Sequence, residues 1–421
     1  MRQFVVCCFA LFLSACSCQD GSDQDSRPGR DDTGPSDSHP ADSGDTDGHS
    51  GDSHSGDSHS GDSGDTDTFV SAVDCEGIHA LPKGVEHTFY ETNPTFVEPV
   101  DDSAWWTYAQ PSEQGVDGAL LEQAYQELEA IPFVTSFIVM RHEAIVMERY
   151  LHGKQALDSD AVHSSSKSIL ADVVGLAHHQ GHLPDLDQPI AQILPSYFDE
   201  VDDPRKLDIT IRHLLTMTAG FRWVEDFTEY AIDDSDDWLQ AIVDLPLVAD
   251  PGSEFEYCTG QTHLASAVIT AATGMSTCEY AHRYLLEPIG VTAEHWGRDP
   301  QGIFHGGCNL YLTPRELLRF GLLHMRDGVW DGVSILPASW ISSTEQWHTD
   351  VDEGWGYGYW FWLTNIRGHD VATAWGYGGQ LVYLIRDLDM VVVITTNTHD
   401  YNPDYDGYGL LREYVIPAAT D

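Results

Sequence analysis

Between Ser17 and about Asp74 this chain of 421 residues offers almost nothing to fold around. The stretch is written in Gly, Asp, Ser, Thr and His, and large apolar side chains are almost absent until Phe69. A five-residue repeat, Ser-Gly-Asp-Ser-His, fills Ser50–His54 and Ser55–His59 and restarts at Ser60. Such a segment cannot bury enough apolar surface to offset the entropy of ordering it, so residues 17–74 are expected to be a disordered spacer. Whatever folds must lie in residues 75–421, about the size of one large two-lobed domain. Asp45–Gly48 has the start of a calcium loop and the histidine repeats hint at weak metal binding, yet neither has a full ligand set.

Ahead of the spacer, Arg2 precedes an apolar run from Phe4 to Leu13 that ends in Leu13-Ser14-Ala15-Cys16. A run this short reads as a secretory signal over residues 1–16, not as a membrane span. The closing tetrad resembles the bacterial lipobox, which implies diacylation at Cys16 and a mature chain anchored to the cell envelope, periplasmic or at the cell surface. A plain signal with an incidental cysteine is the alternative. No later stretch is long and apolar enough to cross a bilayer. The net charge of −48 excludes nucleic acid as a partner, because a phosphate backbone needs a basic surface. It suits solubility outside the cell and identifies no substrate.

Cys75, Cys258, Cys278 and Cys308 fall in the folded part, where export permits a disulfide. Spacing alone leaves the pairing open. No C-x-x-C or H-x-x-x-H frame sits on a helix face, so neither a catalytic metal nor a cofactor is expected.

The stretch that points to chemistry is His163-Ser164-Ser165-Ser166-Lys167-Ser168. Ile169, Leu170, Val173, Val174 and Ala177 follow at helical spacing, and Gly181 closes the run. A helix starting near Ser165 puts Ser164 at its first turn, where free N–H groups favour developing negative charge. Lys167, three residues on, can fold back beside the Ser164 hydroxyl. That is a nucleophile with a base in reach. The plainer reading makes the serines an N-cap and Lys167 a solvated side chain.

Around it, a helix is predicted over about 117–130, then strands at 137–140 and 144–150 across a turn at 141–143. Helices are predicted up to about Leu194, over Ile209–Gly220, over Leu264–Ala272 and from Thr313 with Pro314 at its first position. His213, at a helix start, reads as a structural hydrogen-bonder. From Trp355 the period changes to strands, at Tyr357–Trp362, Gln380–Ile385 and Met390–Thr395, and a helix over Leu410–Val415 closes the chain. The order makes an α+β fold, an antiparallel sheet flanked by helices with a mostly helical lobe. Tyr257, on an extended run before a helix, is either a core aromatic or a proton relay to a leaving group. Trp375-Gly376-Tyr377-Gly378-Gly379-Gln380 lies between two strands, and its glycines let backbone N–H groups approach a ligand. Tyr357, Tyr359, Trp360, Trp362 and Trp375 fit either an aromatic cleft wall or sheet core.

Together these stretches resemble the serine β-lactamase-related hydrolases: class C β-lactamases, D-alanyl-D-alanine carboxypeptidases, family VIII esterases and 6-aminohexanoate-dimer hydrolases. Ser164–Lys167 matches S-x-x-K, and Tyr257-Cys258-Thr259 falls on Y-x-N with threonine for asparagine. Arg212–Gly220 matches R-H-L-L-T-x-T-S-G with Ala219 for serine, and Thr313–Gly321 matches T-x-x-D-L-x-R-F-G. The third motif, usually K-T-G or H-x-G, reads Trp375–Gln380 and has no lysine or histidine to grip a carboxylate. The resemblance implies a β-lactamase/transpeptidase-like fold over most of residues 120–417, with the site between sheet and helical lobe. It implies an acyl-enzyme on Ser164, with Lys167 as base and Tyr257 as relay. The Ser164 N–H and one near Gln380 would form the oxyanion hole, with Gly378, Gly379, Trp375 and Tyr377 beside the substrate. It also implies a small ester or amide substrate of the aminohexanoate or esterase branch, and a Cys258–Cys308 disulfide bordering the site. A β-lactamase or carboxypeptidase is the runner-up, and a non-catalytic binding protein of the same fold the rival from another class.

Overall fold

Val134–Arg141 (β1) and Ala144–Tyr150 (β2) pair antiparallel across a turn where His142 and Glu143 take positive φ. The structure, a computed structural model, describes residues 73–75, 101–225, 227–398, 405 and 407–420. The signal reading of 1–16, Cys16, and nearly all of the spacer lie outside those residues. Six further strands complete one antiparallel sheet: Thr349–Asp352 (β3), Trp355–Tyr357 (β4), Trp362–Ile366 (β5), His369–Gly376 (β6), Gln380–Ile385 (β7) and Met390–Thr396 (β8). Its order is β2-β1-β8-β7-β6-β5-β4-β3, so the last strand pairs with the first, Val139 opposite Val392.

Every residue of β7 and β8 is buried, because both faces of the sheet are covered. Side chains alternate between the faces. Met390, Val392 and Ile394 pack with Leu121, Ala124 and Leu128 of the helix Gly118–Glu129 (α1) and with Leu411 and Val415 near the C-terminus. Val391 and Val393 join the opposite core, with the helices Ser165–His179 (α2), Thr259–Thr273 (α3) and Pro314–Met325 (α4). α1 starts as predicted, with the Asp117 side chain accepting from Ala119 N at 2.8 Å. α4 has the predicted threonine cap, Thr313 and Glu316 forming a reciprocal capping box. Among the described residues no helix is long and apolar enough to cross a membrane.

Four expectations need correcting. α2 does not leave Lys167 solvated, as the plainer reading has it: Ser165 to Ala177 are all buried, because the helix is wedged between β6 and α3. The helix over Ile209–Gly220 shrinks to Ile211–Leu215, since Met217 and Gly220 take positive φ. A Cβ at Gly220 would lie 2.4 Å from the Ala249 carbonyl oxygen, so this bend needs glycine. The single strand over Tyr357–Trp362 is two strands split by a turn with Trp360 at φ 58°. The turn drives Tyr359 and Trp360 into the helical lobe, where Arg212 donates to the Tyr359 hydroxyl and Trp360 Nε1 donates to Leu214 O. The disulfide is Cys75–Cys278, not Cys258–Cys308. Cys258 is fully buried before α3, and Cys308 Sγ lies instead 3.4 Å from the His305 ring nitrogens.

One buried polar cluster ties α2 to α4. His324 Nε2 lies 3.0 Å from Asp172 Oδ2, and its Nδ1 lies 3.0 Å from Glu345 Oε1. Glu345 in turn accepts from the Arg386 guanidinium.

Candidate active site

Ser164 is the residue just before α2, and its hydroxyl makes no capping bond to that helix. Lys167, one turn on and only 1 % exposed, brings Nζ to 2.9 Å from Ser164 Oγ. The same Nζ donates to the Gly307 carbonyl at 3.0 Å and stands 5.0 Å from the centroid of the Tyr257 ring. The Tyr257 side chain lies close enough to that of Ser164 to interact with it electrostatically. Burial pushes the Tyr257 phenol well above its ordinary range, and the Glu225 carboxylate adds to this. The phenol therefore stays neutral at ordinary pH. The three residues picked out by sequence thus meet at one point.

Sequence reasoning missed the loop that carries the third contact to Lys167. A Cβ at Gly306 would lie 2.0 Å from Thr262 O, so α3 packs directly on this backbone. A Cβ at Gly307 would lie 2.5 Å from Thr259 Cγ2 and 3.0 Å from Lys167 Nζ. The signal was present as an unexplained Gly-Gly between His305 and Cys308. Gly307→Ala should slow acylation of Ser164 by about 100-fold, the order expected for misplacing a reacting group by an ångström. Stopped-flow with an activated ester checks this, and an unchanged rate would mean that the loop does not hold Lys167.

Thr259, two residues after Tyr257, turns its hydroxyl away to donate to Glu225, which also accepts from Trp223 Nε1. Glu229 Oε1 lies 3.8 Å from His305 Nε2 and 3.9 Å from Cys308 Sγ, close enough for the three to be weighed as metal ligands. Burial raises the Cys308 thiol well above its usual range, with Glu229 adding to this, so the sulfur stays protonated.

Across Ser164, the Gly376–Gln380 hairpin closes against the start of α2. A Cβ at Gly376 would lie 2.2 Å from Val162 O, and Ser165 Oγ donates to Gln380 O at 2.7 Å. Gly378 and Gly379 take positive φ, as the turn requires. The Gln380 side chain faces the sheet, donating to Thr396 O, so only its backbone is left to the site. Tyr377 sets its ring 5.6 Å from His163. The aromatic residues divide. Tyr357, Tyr359 and Trp360 are core, whereas the half-buried Trp362 and Trp375 run on from Tyr257, with ring centroids 5.5 Å and then 5.6 Å apart.

The sequence profile of the beta-lactamase family matches residues 121–413, which includes all of these groups. The chain belongs to the beta-lactamase family. It is a serine hydrolase with the α+β, β-lactamase/transpeptidase-like fold, its antiparallel sheet flanked by helices. The 6-aminohexanoate-dimer hydrolase of Paenarthrobacter ureafaciens is 26% identical over 291 residues, 61% of this chain and 71% of that protein. Esterase EstB of Burkholderia gladioli is 27% identical over 195 residues, 41% of this chain and 49% of its own length. Among solved structures, a candidate 6-aminohexanoate-dimer hydrolase from Bacillus anthracis superposes with a TM-score of 0.62 at 18% identity, covering 81% of this chain and 98% of its own.

Proposed function

We propose that this family member cleaves a small ester or amide through an acyl-enzyme on Ser164. The 2.9 Å approach of Lys167 Nζ to Ser164 Oγ, with the Tyr257 ring 5.0 Å from the same nitrogen, carries this reading. Lys167 takes the hydroxyl proton as Oγ attacks the carbonyl carbon. The electron pair displaced onto the carbonyl oxygen is held by the Ser164 N–H and an N–H of the 376–380 turn. Lys167 returns the proton through the neutral Tyr257 phenol to the departing alcohol or amine, and water then releases the acid. The half-buried Trp362 and Trp375 favour an apolar or aryl acyl group. Neither lysine nor histidine occurs in Trp375–Gln380, and Thr259 is committed to Glu225, which disfavours a β-lactam or a D-Ala-D-Ala terminus. Relatives named as an esterase and as a hydrolase of the 6-aminohexanoate dimer support the ester and amide classes.

Intact-mass analysis after treatment with a fluorophosphonate tests the nucleophile. One adduct in the wild type, absent in Ser164→Ala, is expected. Absence of any adduct on folded protein would favour the binding-protein reading. Faster turnover of a chromogenic cephalosporin than of short-chain esters would overturn the substrate class.

On the same reading, residues 1–16 direct export, Cys16 carries the lipid, and residues 17–74 space the hydrolase from the membrane. Cys16→Ser should abolish incorporation of a radiolabelled fatty acid in a bacterial host; retained label would place the lipid elsewhere.

A further inference from the structure

We infer that His305 is a positioning residue for Lys167, acting by gripping the far end of the peptide unit that Lys167 touches. This rests on the acyl-enzyme reading of Ser164. The Gly307–Cys308 peptide presents its carbonyl to Lys167 Nζ at 3.0 Å, and its N–H donates to His305 Nδ1 at 3.0 Å. A trans peptide is planar, with N–H and C=O pointing in opposite directions. Fixing the N–H on one side therefore aims the carbonyl at the lysine on the other. The Gly307 N–H donates to the same ring nitrogen at 3.1 Å. The Gly307 carbonyl takes one N–H of Lys167 and so fixes the direction from which Nζ faces Ser164 Oγ.

The ring itself cannot drift. His305 is buried, its N–H donates to Gly297 O, and its carbonyl accepts from Trp296 Nε1. Its imidazole lies within 5.6 Å of the Trp238 and His263 rings. Two donors on Nδ1 also fix the tautomer, with the proton on Nε2 facing Glu229. A metal held by Glu229, Cys308 and Nε2 would need Nδ1 to carry a proton, which would collide with both backbone N–H groups. The arrangement is therefore that of an acceptor, not of a metal ligand.

The two amides asparagine and glutamine separate these roles, because Asn Oδ1 stands near the place of Nδ1 and Gln Oε1 or Nε2 near that of Nε2. The rate of fluorophosphonate labelling at Ser164 is read on the full chain for wild type, His305→Ala, His305→Asn and His305→Gln, each checked for a cooperative melt. His305→Ala should label about 100-fold more slowly. His305→Asn should recover to within about tenfold of wild type, His305→Gln should not, and chelation by EDTA should leave the wild type unchanged. Equal rates in all four proteins, rescue by Gln in place of Asn, or loss of wild-type labelling on chelation would each overturn the inference. If His305→Ala does not fold, the Asn–Gln comparison still decides. A wild type that never labels would instead remove the acyl-enzyme reading on which the inference stands.

Discussion

Lys167→Ala should lower the rate at which Ser164 is acylated by about 1,000-fold or more, with little change in stability beyond the lost packing of the side chain. Three neighbouring groups are poor substitutes. Tyr257 is held neutral by burial and by Glu225, so it offers no phenolate base. Cys308 is likewise kept protonated, and the His305 Nδ1 lone pair is taken by two backbone donors. Lys167→Arg should be as slow as the alanine variant, because a guanidinium does not give up its proton in a protein. Second-order labelling rates measured from pH 6 to 10 check both variants. A Lys167→Ala rate within tenfold of wild type would take the lysine out of the base role.

The second large effect concerns stability. His324→Ala should cost about 3–5 kcal/mol, the usual consequence of removing one partner from a buried ionic cluster. The loss follows from what remains. Asp172 on α2 is fully buried, and without His324 it has no cation opposite it. Burial alone would push the His324 imidazole down, but Asp172 and Glu345 outweigh that and carry its pKa up to about 9. Since the folded value lies above the unfolded 6.5, the protonated histidine stabilises the fold fully below pH 6.5. This contribution declines between pH 6.5 and 9 and is gone above it. A shift of this size corresponds to about 3 kcal/mol. Urea unfolding at pH 6 and pH 9.5 should show that loss in the wild type and a much smaller one in His324→Ala. A pH-independent wild type would mean that folding leaves the titration of this imidazole unshifted.

How much of this was legible depends on how local each signal is. β1, β2, β7, β8, α1 and α4 follow from period and caps, which are properties of neighbouring residues. Ser164, Lys167 and Tyr257 could be singled out as candidates because the first two share one helical turn and the third lies on a recognisable loop. What the sequence could not show was set by distant partners. α2 looks amphipathic, yet the sheet and α3 bury its polar face, so Ser165 finds Gln380 and Asp172 finds His324. The Tyr357–Trp362 run reads as one aromatic strand, but the hydrogen bond from Trp360 to Leu214 belongs to a bend that periodicity cannot register. The Cys75–Cys278 bond spans 203 residues, beyond any local pattern. Gly306 and Gly307 read as an ordinary turn until α3 is seen packed against them.

The file of rings along the sheet has an optical consequence. Trp355, Trp362 and Trp375 have centroids 5.6 to 6.5 Å apart, and Trp362 stands 5.5 Å from Tyr257 beside the nucleophile. Indoles this close exchange excitation, so a contact with one of them is expected to alter the emission of its neighbours. An acyl group seated against any one of them alters the light collected from all. On the proposed acyl-enzyme mechanism, occupation of Ser164 should be readable as a change in ultraviolet fluorescence with no label attached.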